Sequence, residues 1–175
     1  MSSGKERLSG IKILKKNVKF KIMEFLIGSS FSQKVIELLN NAKGSVDVMM
    51  YHWPPPRSSA KPKAFAVAEA LAAARSRGVK FRVVLNLGLP SDPLREVNQK
   101  TANWLRSHGA SVKFWRASQT MHIKLILVDR TFLILGSHNL SENAMSKNIE
   151  ISVLAVGSGE IRKVQDYFNL LWGQI

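Results

Sequence analysis

The chain has 175 residues, with 26 Lys and Arg against 12 Asp and Glu, for a formal net charge of +14. An apolar content of 45% excludes disorder as the starting expectation and is enough for one domain with a substantial core. The absence of cysteine excludes disulfides and thiolate metal sites, while the cation surplus points to a polyanionic partner, either nucleic acid or an anionic membrane surface.

Residues 1–20 read as a basic N-terminal extension and residues 21–175 as a single domain. Residues 1–21 hold Lys5, Arg7, Lys12, Lys15, Lys16, Lys19 and Lys21 against Glu6. Such a segment is either a solubilising tail or an arm that tracks phosphates without reading sequence. No apolar run reaches the ~18 residues that span a bilayer. No secretory signal is visible either, because Lys19, Lys21 and Glu24 interrupt Val18 to Ile27. Together with the lack of cysteine, this sets the expected location as cytoplasmic or nuclear.

Phe20 to Ile27 alternates as a first strand, and Gly28-Ser29-Ser30 breaks it. A helix follows with Phe31, Val35, Leu38 and Leu39 on one stripe. Val46 to Tyr51 reads as a central strand. It leads into His52-Trp53-Pro54-Pro55-Pro56-Arg57, where three prolines forbid a ladder. Loops at such strand ends carry ligands in α/β proteins, so Trp53 and Arg57 are candidates to stack on and grip a nucleotide. The competing reading, a stiff crossover with a packed Trp53, is the favoured one, and it treats His52 as satisfied or solvated.

An Ala-rich helix from Pro62 to Arg77, closed by Gly78, precedes a strand from Val79 to Leu85. That βαβ unit predicts a parallel pair. Pro93 opens a helix that ends near His108-Gly109. Ser111 to Trp115 is a short strand, and Arg116 leads toward His122, at the border of any site there. The last helix runs from about Ser158 to Trp172, with Ile161, Val164, Phe168, Leu171 and Trp172 inward. Strands alternating with helices predict an α/β/α sandwich with a mixed, mostly parallel sheet.

Met121 to Glu150 organises the rest. His122-x-Lys124 alternates within an apolar run, so both side chains share one face of a strand. An imidazole beside an ammonium suits an anion with several oxygens, such as a phosphate, and the cation discourages protonation of the ring. Asp129-Arg130 is a turn. The return strand, Thr131 to Leu135, ends in Gly136-Ser137-His138-Asn139, which a hairpin brings back beside His122 and Lys124. Gly136 allows close approach of a ligand, and Ser137 and Asn139 offer neutral donors. A third strand from Asn148 to Val156 carries Glu150 among aliphatics. A carboxylate there needs a partner, and a ring N–H of His122 is the available one, fixing the tautomer.

The set His122-x-Lys124, four residues, Asp129, six residues, Gly136-Ser137-x-Asn139 resembles the HKD motif of the phospholipase D superfamily, with every fixed position met. From about Gly28 to Gly173 the element order is similar to that of short bacterial HKD endonucleases. The resemblance implies metal-independent phosphodiester cleavage. His122 attacks phosphorus, Lys124, Asn139 and Ser137 hold the oxygens, Glu150 orients His122, and Asp129 is structural, tying a loop or a subunit interface. It implies no cofactor and no metal. With one motif copy, it implies a homodimer in which two His122 rings face each other. The expected substrate is DNA or RNA. The alternatives are a phospholipid head group at a membrane and, more weakly, nucleic-acid binding without catalysis.

Overall fold

The computed structural model describes residues 22–56, 62–116, 119–157 and 159–175. The basic extension over 1–20 and Arg57 lie outside the described residues. The element order is β1 (Ile22–Ile27), α1 (Ser29–Asn41), β2 (Ser45–Met50), α2 (Pro62–Ser76), β3 (Lys80–Asn86), α3 (Pro93–Ser107), β4 (Ser111–Trp115), β5 (Lys124–Val128), β6 (Phe132–Gly136), α4 (Glu142–Ser146), β7 (Ile151–Val156) and α5 (Gly159–Gln174).

One seven-stranded sheet runs β1-β7-β6-β5-β2-β3-β4. The βαβ reading holds, since β2 pairs in parallel with β3, and β3 pairs in parallel with β4. The other four ladders are antiparallel, because β5 and β7 run against the remaining strands. The sheet is mixed as expected, but its hydrogen bonding is mostly antiparallel. The β5–β6 hairpin wedged beside β2 is the reason.

Alternation along the strands makes two cores. Val46, Val48 and Met50 of β2, Phe81, Val83 and Leu85 of β3, and Ile126 and Val128 of β5 face α1, α2 and α3. Met49, Val84, Leu125, Leu127 and Leu133 face α5, through Ile161, Phe168 and Leu171. Each fully buried aliphatic or aromatic side chain of this kind stabilises the fold by roughly 1.5–3 kcal/mol. An α/β/α sandwich results.

The α5 side of the sheet is not covered to its edge. Helix α5 lies over β2, β3 and β5 and reaches only Leu133 of β6 and Ala155 of β7 beyond them. On β1, β6 and β7 the same face leaves Phe25 61%, Ile27 65% and Ile151 50% exposed, with Met23 and Leu135 beside them. Sequence alternation places Leu26 in the core correctly, and it is fully buried. It gives no sign that the opposite, equally apolar face of β1 is bare.

Candidate active site

His122 and Lys124 come from the entry of β5, where β2 still pairs with it: the Tyr51 N–H donates to the Ile123 carbonyl at 3.0 Å. Ile123 and Leu125 turn to the α5 core, which leaves His122 and Lys124 on the other face, as their spacing requires. Lys124 is 6% exposed and His122 is exposed. The Lys124 Nζ lies 2.8 Å from His122 Nε2 and also donates to the His122 carbonyl at 2.9 Å.

An ammonium has no lone pair, so Nε2 is the acceptor and the ring proton sits on Nδ1. Lys124 therefore fixes the tautomer. Burial and the Lys124 charge both hold the His122 pKa below its ordinary value, so the ring stays neutral. Burial likewise lowers the Lys124 pKa, against an opposing pull from Glu150. Tyr51, which pattern reasoning treated only as the end of a strand, is edge-on to His122 at 4.5 Å. Its ring lies 4.8 Å from the Lys124 Nζ. Its place at a strand end on the His–Lys side is the signal that marks it.

The hairpin register, Leu125 opposite Leu135, carries Gly136 to the level of Lys124 and delivers the following turn to it. Ser137 is exposed. Its Oγ accepts from the Ile151 N–H at 3.1 Å, so β7 orients it. Asn139 is half-buried, and its Oδ1 accepts from the His52 backbone N–H at 3.1 Å, which commits its Nδ2 to the donor role. Between them His138 is buried, stacked on Phe31 at 4.3 Å with its Nδ1 2.8 Å from Ser152 Oγ. It is a packing anchor for the turn, and the motif spacing alone leaves that position blank.

Gly136 is needed for a different reason from the expected one. A Cβ there would lie 2.4 Å from the Ser152 Cα and 2.5 Å from the Ile151 carbonyl oxygen. The close approach is that of the β7 backbone, not of a ligand.

Two further expectations are corrected, for Glu150 and Arg116, and of the two readings of Trp53 the nucleotide-stacking one fails. Glu150 is half-exposed and does not hold the His122 ring. Its Oε1 accepts from Asn148 Nδ2 at 3.0 Å. Burial raises its pKa, but hydrogen bonds from Ser137 and Asn148 and the neighbouring His138 and Lys124 outweigh this and hold the carboxyl below its usual range. Its link to the pair is therefore electrostatic, through Lys124.

Trp53 is 3% exposed and sits in the larger core, so it cannot stack on a nucleotide. Its backbone is pinned inward: its N–H donates to Asn98 Oδ1 at 3.1 Å and its carbonyl accepts from Thr101 Oγ1. Asn98 and Thr101, polar at inward positions of α3, are the sequence signal for that pinning.

Asp129 does not join the site. It lies at the far end of β5, where its carboxylate accepts from the backbone N–H groups of Lys43, Gly44 and Ser45 at 2.9, 2.7 and 2.9 Å. It ties the hairpin turn to the loop before β2, the structural role expected of it. Arg116 follows β4, which β2 and β3 separate from β5, with its guanidinium 5.7 Å from the Phe114 ring; it is exposed and contributes no contact to the His–Lys pair.

A cleft of about 340 Å³ opens beside Asn139, lined by His52, Pro54, Ser141, Glu142, Asn143 and Asn148. Among the described residues no group of three or more His, Asp or Glu is placed to hold a metal ion.

A sandwich of this topology, with a His–Lys pair and a Gly-Ser-x-Asn turn gathered at one end of its sheet, defines a phospholipase D-like domain. The chain belongs to the family described as "Cardiolipin synthase, PLD-like domain", which matches residues 35–172. It is 26% identical over 144 residues to "Mitochondrial cardiolipin hydrolase" of Xenopus laevis, covering 82% of this chain and 61% of that protein. The protein of the same name from Homo sapiens is 24% identical over 147 residues, with 84% and 53% covered. The chain thus spans between about half and three-fifths of these curated relatives. Among solved structures, NucT from Helicobacter pylori superposes with a TM-score of 0.70 at 19% identity, covering 87% of this chain and 96% of that one. Nuc from Salmonella typhimurium, a phospholipase D family member, gives 0.71 at 22%, with the same coverage. At these identities the likeness is one of fold.

Proposed function

We propose that the chain is a phosphodiester hydrolase acting through a phosphohistidine, and that its substrate is nucleic acid. The observation that carries the chemistry is the 2.8 Å contact between Lys124 Nζ and His122 Nε2. It holds a neutral imidazole with its lone pair toward a cation. An arriving phosphodiester offers that cation better acceptors, and Lys124 turns to a non-bridging oxygen and frees the lone pair. Nε2 then bonds to phosphorus as the bond from phosphorus to the leaving oxygen breaks. Lys124 and Asn139 Nδ2 grip the non-bridging oxygens as charge develops. Ser137 adds a donor, and Glu150 keeps Lys124 charged. Water subsequently cleaves the N–P bond. No step calls for a metal or cofactor.

The leaving oxygen needs a proton that the attacking His122 cannot give. Of the other histidines, His138 is buried in the core and His108 packs with its ring tilted against Trp104 at the end of α3. His52 contacts Asn139 through its backbone and is held neutral by burial. A second copy of His122 across a two-fold axis supplies the proton economically, and the same ring then activates the water. The bare apolar face of β1, β6 and β7 supports a homodimer. It is contiguous, and it reaches the strand ends that carry Ser137 and Glu150.

The net charge of +14 favours nucleic acid, as does the match to nearly the whole length of Nuc and NucT. A second reading, a lipid phosphodiesterase, is favoured by the names of the curated relatives and of the family. Incubation in excess EDTA with single-stranded DNA, duplex DNA, RNA and a cardiolipin vesicle separates the two. Cleavage of a nucleic acid is expected. Cleavage of the lipid alone, or activity that returns only with Mg²⁺, would overturn the proposal.

A further inference from the structure

At the end of the sheet opposite His122 lies a second, strongly cationic cleft. Ser45, Lys80 and Ser111 open β2, β3 and β4 there, and Arg130 follows the end of β5. One concavity of about 410 Å³ is lined by Arg75, Lys80, Arg82 and Arg130, with Asp47. An adjoining one of about 740 Å³ shares Lys80 and Arg130 and adds Lys43 and Asp129. Five cations therefore face two carboxylates, and both carboxylates are engaged. Asp47 accepts from Arg82 Nε and Nη2 at 2.8 and 2.6 Å and from Gln165 Nε2 at 2.7 Å. Asp129 accepts the three backbone N–H groups described above. Arg75 is held by the Gly109 and Val79 carbonyls. Lys80 and Arg130 are exposed, with no ion-pair partner among the described residues.

The hairpin turn carries a second, independent mark. Asp129 and Arg130 have φ of 51° and 55°. That two-residue turn favours glycine at its second central position, since the left-handed region is costly for a residue with a Cβ. Here the position holds an arginine, and its side chain joins the cleft. Strain kept where glycine would relieve it points to a use for the side chain.

We propose that this cleft is an exosite for the phosphate backbone of a nucleic acid whose scissile phosphate lies at His122. The inference rests on the nucleic-acid reading and extends it to a polymeric substrate. Six residue steps from His122 to Val128, the end of β5, separate the two sites by roughly 20 Å. A duplex strand carries a phosphate every ~3.4 Å along the axis, so about six phosphates bridge that distance. A dinucleotide is too short. A bilayer is flat, and cannot enter a concavity at one end of the sheet while presenting a head group at the other.

The test compares Lys80→Gln, Arg130→Gly and the double variant on two measurements. Binding to a 30-nucleotide single strand and its duplex is followed against salt in the His122→Ala background, and hydrolysis of bis(p-nitrophenyl) phosphate is followed in otherwise wild-type protein. Each substitution should lower the slope of log affinity against log salt by about 1 and weaken oligonucleotide binding several-fold. Small-diester hydrolysis should stay within two-fold. Arg130→Gly should melt no lower than the parent, which separates lost binding from lost folding. An unchanged slope would overturn the exosite. So would a loss of binding to anionic vesicles while oligonucleotide binding is intact. A protein that cuts oligonucleotides in EDTA but whose variants bind as before loses the exosite and keeps the nuclease reading. One that binds through the cleft without cutting does the reverse.

Discussion

At the scale of single residues, the site works by what each neighbour does to His122. Its pKa lies below the usual 6.5 through burial and then through the Lys124 charge. Both effects disfavour the charged ring, so protonation sets in only at lower pH. An NMR titration should place the His122 midpoint below that of an exposed histidine. Lys124→Gln should move it upward, because one of the two depressing causes is gone. A midpoint that does not respond would mean the contact at Nε2 is not an ammonium contact.

Asp129 was legible as part of the motif and equally as structural, and its three backbone partners explain both. Burial raises its pKa, but the three N–H donors outweigh it, so the folded value is depressed. Its contribution is complete at neutral pH and is lost as pH falls through that folded value. Asp129→Ala should cost about 1–3 kcal/mol in denaturant unfolding at pH 7, with the activity of the folded fraction retained. Activity lost at full stability would place Asp129 in the chemistry instead.

At the scale of elements, the reading from sequence succeeded wherever one strand and its turn decide the geometry. His122-x-Lys124 and Gly136-Ser137-x-Asn139 met because hairpin register is a local matter. It went wrong where the partner comes from elsewhere in the chain. Glu150 was assigned to the His122 ring by elimination, but Asn148, two residues away, and Ser137 take it. For Trp53 the favoured packed reading is the one the structure shows, and the nucleotide-stacking candidate fails because Asn98 and Thr101 of α3 draw the proline loop inward. Gly136 reads as room for a ligand, yet the room is filled by β7. Gly136→Ala should therefore destabilise by about 1–3 kcal/mol through overpacking against backbone that cannot step aside. Thermal melting checks this, and an unchanged melting temperature would mean the strands can part there.

At the scale of the whole molecule, two features lie beyond any local pattern. The stripe of Phe25, Ile27 and Ile151 belongs to strands at opposite ends of the sequence, and only the placement of α5 reveals it as bare. The sequence reading asked for a dimer because the chain holds a single motif copy, and its one suggestion for the interface was Asp129 rather than this face. If this face joins two copies, light scattering should give twice the chain mass. Phe25→Glu with Ile151→Glu should give a folded monomer with activity reduced at least a hundred-fold, because the second His122 is missing. A monomeric variant with full activity would remove the two-fold site.

The central claim is that His122 itself bonds to phosphorus. Rapid quenching of the protein with an oligonucleotide in EDTA, followed by peptide mapping under alkaline conditions that preserve phosphohistidine, tests it directly. A nucleotidyl or phosphoryl adduct on the peptide carrying His122, absent from His122→Ala, is the predicted result. Cleavage without any adduct, or an adduct on a different residue, would contradict the account.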